Sequence, residues 1–104
     1  MIERYEFNNG NVATFNTESI LIEFNNKPIY KLKGLGKSVE FRNKKNELDG
    51  VVIKTKDHWN RSHYIVITED GCHTRKCIGK CLELIPTLEK DKKERTRKIE
   101  EVKI

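Results

Sequence analysis

Two stretches of the chain gather side chains able to do chemistry. The first is Cys72-His73, followed by Cys77 and Cys81, a C-x4-C-x3-C spacing. Zinc takes four nitrogen or sulfur ligands in a tetrahedron, usually including two cysteines only two residues apart. Cys72, His73, Cys77 and Cys81 supply the number of ligands but not that close pair. A reduced cysteine also packs as a small apolar residue. The cysteines are therefore expected to be structural, zinc being the lesser alternative and a reactive thiol a third, and no cofactor is expected. Cys72 lies beside a turn and near Arg75 and Lys76, so it is the thiol expected to be exposed and oxidisable. His73 adjoins it, but neighbours on a strand point to opposite faces, and a nucleophile needs its base within reach. The chain shows no paired carboxylates, phosphate-cradling glycine loop or HExxH ligand set. A binding protein is expected rather than an enzyme.

The second stretch runs from Lys54 to His63 and holds the only tryptophan. Lys54, Lys56, His58, Trp59, Arg61 and His63 fall within ten positions of one hairpin. Trp and Arg are the side chains most enriched at binding hot spots, and a tryptophan can stack on an unpaired base. Trp59 either stands exposed as a contact or folds back as a lid on the core, and the sequence leaves both open. Lys44 and Lys45 in the preceding loop, with Arg75 and Lys76, extend the expected partner-binding patch. The cations of the tail, Lys92, Lys93, Arg95, Arg97 and Lys98, are expected to form a solvated helix face.

The charge balance agrees with an anionic partner. The 104 residues carry a net charge of +5. Residues 1–33 are neutral, and the excess lies in the last two thirds of the chain. A basic surface attracts nucleic acid, or an acidic protein that imitates it. A protein or ribonucleoprotein partner is expected first, RNA or DNA second. Three cysteines cannot all pair within one chain, which suits a reducing cytoplasm. The segment Met1-Ile2-Glu3-Arg4-Tyr5 lacks the basic-then-apolar pattern of a secretory signal, and no apolar run is long enough to span a membrane.

Short β elements must position these residues. Arg4–Phe7 and Val12–Phe15 flank Asn9-Gly10, a two-residue hairpin signal. Ile20, Ile22 and Phe24 alternate on one face of a third strand. A turn at Asn25–Pro28 leads to a fourth strand over Ile29–Lys33. These four form a β-meander in residues 1–33, which needs a cover on one face to be stable. Gly34-Leu35-Gly36 is a joint. Strands then follow at Ser38–Phe41, at Val51–Lys56 after a loop over Asn43–Glu47 and an Asp49-Gly50 turn, at His63–Thr68 and at His73–Cys77. A helical turn at Ile78–Cys81 precedes a last strand, Leu82–Ile85. Beyond Pro86 no residue from Glu89 to Lys98 is apolar. Residues 87–104 are expected to form a charged, projecting, frayed helix, supported by acid-first pairs four apart such as Asp91 and Arg95.

The order Gly36-x-x-Val39, Asp49-Gly50-Val51-Val52, Tyr64-Ile65-Val66, Asp70-Gly71 and Ile78–Ile85 resembles an SH3-like small barrel of the KOW/Tudor type. The resemblance covers residues 36–85 and implies a barrel domain over residues 34–86. The expected fold is mainly β: a meander joined to that barrel, with a short charged C-terminal helix. The short, Lys- and Asn-rich chain also resembles, in size and composition, small phage and mobile-element proteins such as anti-CRISPR inhibitors. That likeness implies a non-enzymatic protein that occludes a nucleic-acid-handling assembly, possible targets including a CRISPR nuclease. The alternative is an accessory domain that binds RNA or DNA directly.

Overall fold

The computed structural model describes all residues, 1–104, and is mainly β. Strands β1 (Ile2–Glu6), β2 (Val12–Asn16), β3 (Leu21–Phe24) and β4 (Lys27–Lys31) form one antiparallel sheet in that order. Strands β5 (Gly36–Arg42), β6 (Leu48–Lys56), β7 (Ser62–Thr68) and β8 (Gly71–Arg75) form a second. Helices α1 (Ile78–Leu84) and α2 (Glu89–Glu100) follow. None of these helices is long and apolar enough to cross a membrane.

The second sheet is the middle layer of three, and its sequence shows why. Side chains alternate across a strand. Val51, Ile53, Ile65 and Ile67 point to one face, where they pack with Tyr5, Phe15, Ile22 and Leu32 of the first sheet and its exit. Val52, Tyr64 and Val66 point to the other, where Cys81, Leu82, Ile85 and Ile99 from the helical segment cover them. A sheet buried on both faces reads as continuous apolar runs rather than alternation. That accounts for Val51-Val52-Ile53 and Tyr64-Ile65-Val66-Ile67. The meander finds its cover on this sheet, so residues 1–33 and 34–86 share one core. Glu3 stitches the layers together, accepting from the hydroxyls of both Tyr5 and Ser38.

Three hairpins share one loop design. In each, the first residue's N–H bonds to the carbonyl four positions on, and the fourth residue's N–H bonds back to the first carbonyl. The loops are Phe7–Asn11, Asn43–Glu47 and Asp57–Arg61. The fourth position lies at positive φ, and Gly10, Asn46 and Asn60 occupy it, residue types that tolerate this region. The first hairpin is thus a three-residue loop rather than the two-residue turn expected at Asn9-Gly10. At Asn25-Asn26, both residues have positive φ and a two-residue turn does join β3 to β4, as type I′ geometry requires. Pro28 falls in β4, an edge strand where proline is tolerated, next to a shift of register between Ile22 and Glu23.

Three expectations are corrected. Asp49-Gly50 is no turn but lies within β6, the chain having reversed at Asn43–Glu47. Gly50 is there because Ile85 packs on it: a Cβ would sit 2.9 Å from Ile85 Cγ1. Leu82–Leu84 belongs to α1, not to a closing strand, and the second sheet ends at β8. Ile78, Cys81, Leu82 and Ile85 recur at helical spacing and turn one apolar stripe onto the sheet. The tail helix does not project. Ile99 is fully buried against the sheet, and Arg95 clamps the middle of α2. Its guanidinium pairs with Asp49 at 3.1 Å, donates to the carbonyls of Pro86 and Arg42, and lies 5.2 Å over the Phe41 ring.

Candidate functional site

The loop between β6 and β7 displays Trp59 at 72% exposure, so the lid alternative does not hold. The loop is built to hold that position. Asp57 Oδ1 accepts from the backbone N–H groups of Trp59 and Arg61, both at 2.9 Å. Its other oxygen lies 3.3 Å from Arg61 Nε. The Arg61 N–H, more than any other contact, holds the Asp57 carboxyl below its ordinary 3.8. Asn43 makes the same pair of bonds, to Lys45 and Glu47, in the equivalent loop at the other end of β6. Arg61 then folds over Trp59, its guanidinium carbon 5.1 Å from the ring centroid. His58 meets the same ring edge-on.

Beside this loop lies a groove of about 360 Å³ at the end of the sandwich. Lys56, Trp59, Arg61, His63 and Lys76 line it, together with Tyr30 and Lys33 from the first sheet's side. Tyr30 Oη stands 3.5 Å from His63 Nε2 across the seam between the sheets. Thr55 Oγ1 donates to the Leu35 carbonyl at 2.8 Å and ties the joint after Lys33 to β6. Four cationic side chains therefore surround the groove against one carboxylate, Asp57, whose oxygens are already engaged.

The expected patch is only partly gathered here. Lys56, His58, Trp59, Arg61, His63 and Lys76 come together. Lys54 points to the opposite face of the sheet, where its ammonium lies 3.5 Å from the carbonyls of Ile99 and Glu100 at the end of α2. A cation there suits the helix dipole. Lys44 and Lys45 sit at the far end of β6 from Trp59, roughly 25–30 Å away along the strand, and not on the same end as expected. Lys44 belongs to a second groove, between β5 and α2, where Glu40, Asp91 and Glu94 face Arg42, Lys44 and Lys98. Arg75 pairs with Tyr64 in the ladder and does not line the Trp59 groove. Tyr30 and Lys33 were missed, because only the packing of the sheets brings them to the loop.

The cysteines are arranged otherwise than expected. Cys77 is the exposed thiol, Cys72 is half-buried and Cys81 is buried. Burial pushes the Cys72 thiol up to about 11 and that of Cys81 up to about 12, which keeps both protonated and unreactive. Nowhere do three His, Cys, Asp or Glu side chains gather as a metal would need, so Cys72, His73, Cys77 and Cys81 do not form a ligand set.

No known protein family, curated protein or solved structure matches this chain.

Proposed function

We propose that this is a non-enzymatic binding protein that engages an anionic surface of a nucleic-acid-handling assembly through the Trp59 end of the sandwich. One observation carries the reading: a tryptophan held out at 72% exposure on a loop whose conformation is fixed from within. Exposing a large aromatic ring costs solvation, and fixing its loop costs chain entropy. The return on both is a contact that needs no ordering when the partner arrives. The surrounding cations set the sign of the partner.

Occlusion is the proposed mode of action: bound at this end, the protein blocks the surface it covers. Capture of partners by the tagged protein from a host extract, with and without nuclease treatment, tests the reading. Trp59→Ala is expected to lose the captured partner while remaining folded. Undiminished capture by the Trp59→Ala protein would remove this end of the molecule from the interface.

A further inference from the structure

Resting on that reading, we infer that the Trp59 groove binds an unpaired polynucleotide strand directly, one base stacking on Trp59 while the backbone runs over Lys33, Lys56 and Lys76. The composition of the groove selects this ligand over an acidic protein. Protein interfaces concentrate apolar residues at their centre and exclude lysine from it, and a hot-spot tryptophan normally sits in a ring of groups that shut water out. Here the lining residues other than Trp59 and Tyr30 are all polar or charged, and three are lysines. Polar walls studded with cations, with aromatic rings among them, match a chain that alternates phosphates with flat rings.

The geometry also favours a single strand over a duplex. Arg61 lies over the Trp59 ring, and the residue stays 72% exposed, so ring surface remains free for a base. Bases inside a duplex have both faces occupied, whereas unpaired bases offer theirs to aromatic side chains. Asp57 does not repel the phosphates as a free carboxylate would. Two backbone N–H groups and the Arg61 guanidinium already engage it. Tyr30 and His63, 3.5 Å apart at the seam, place a hydroxyl and an imidazole beside the lysines, where they can bond to a base edge or a sugar.

The single tryptophan makes the test direct. Labelled twelve-nucleotide oligo-dT and oligo-rU, and a duplex of equal length, are titrated into the full-length protein. Trp59 fluorescence and label anisotropy are followed together. The single strands are expected to quench Trp59 and to bind more tightly than the duplex, and comparison of the two strands says whether the sugar matters. Four engaged phosphates would weaken binding about 50-fold between 50 and 200 mM salt, from a slope of about −0.7 per phosphate. Trp59→Ala is expected to lower affinity about tenfold or more, as loss of one stacked base does. Lys33→Ala with Lys76→Ala is expected to flatten the salt slope, while Lys44→Ala with Lys45→Ala, at the far end, leaves binding unchanged. Circular dichroism confirms that each variant is folded. Absence of quenching, equal affinity for duplex, or equal sensitivity to the Lys44 and Lys45 changes would overturn the inference. If the oligonucleotides fail while Trp59→Ala still abolishes nuclease-resistant capture, the ligand is a protein and only this inference falls. If Trp59→Ala changes neither, the broader reading falls with it.

Discussion

Trp59 and Asp57 divide the work of display. The ring supplies contact area, and the carboxylate fixes the loop that carries it. Trp59→Ala should therefore leave stability within about 0.5 kcal/mol, as surface changes usually do, while costing about 2 kcal/mol or more of partner affinity, the level that defines a hot spot. A thermal melt beside a binding titration measures both. Asp57→Ala should reach the same affinity loss by another route, freeing the loop without removing the ring, and backbone relaxation of residues 57–61 would show the added motion. Because the folded Asp57 carboxyl lies below its ordinary 3.8, its hold on the loop is complete above that pH and is lost as pH falls through the lowered value. The cysteines act at the other end of the scale. Cys72 and Cys81 are raised from 9 to about 11 and about 12 by burial. Their contribution to stability is full below pH 9 and is lost as pH rises towards 12, since the unfolded thiols ionise first. An alkaline melt series should show that decline, and a thiol reagent at neutral pH should label Cys77 alone until the chain unfolds.

Helix α2 is the element whose role its own sequence conceals. Ten consecutive residues without an apolar side chain look like a helix facing water, and that pattern carries no sign of what Arg95 meets. Its partners Asp49, Arg42 and Phe41 belong to β5 and β6 and their flanks, so the clamp is legible only in three dimensions. The pair is almost enclosed, with side chains 12% and 14% exposed. Removing one partner of a buried pair costs about 3–5 kcal/mol, so Arg95→Ala should lower the melting temperature well beyond what Lys93→Ala does. Ile99→Ala should cost about 2–5 kcal/mol through the cavity left in the core. A chain truncated after Pro86 should lose its cooperative near-ultraviolet signal rather than keep an intact β core. The strands, by contrast, are legible from alternation in the first sheet, from continuous apolar runs in β6 and β7, and from Asn and Gly in most of the hairpin loops. Where reading went astray, as at Leu82–Ile85, a short apolar run fitted both periods, and only its position over Val52 and Val66 decides for helix. The site was half legible for a similar reason. Trp59, Arg61 and Lys56 are near neighbours in sequence, whereas Tyr30 and Lys33 reach them only through sheet packing.

At the scale of the whole molecule, the middle sheet makes one folding unit of three layers. Neither the first sheet nor the helices hold a core of their own, since each packs on one face of β5–β8. Separately expressed residues 1–33 should therefore not fold alone, residues 34–104 should be destabilised by the exposure of Val51, Ile53, Ile65 and Ile67, and the intact chain should melt in a single transition by every probe. The Trp59 groove crosses the seam of this assembly, with Tyr30 and Lys33 on one side and Lys56 and His63 on the other. An occupant that touches both sides is a fastener as well as a cargo. By mass action it lends its binding free energy to the cohesion of the layers, about 2.7 kcal/mol at a hundredfold excess over the dissociation constant. The traffic runs both ways: loosening the sheets anywhere along their shared face dulls the grip at this end, even where no residue of the groove has changed.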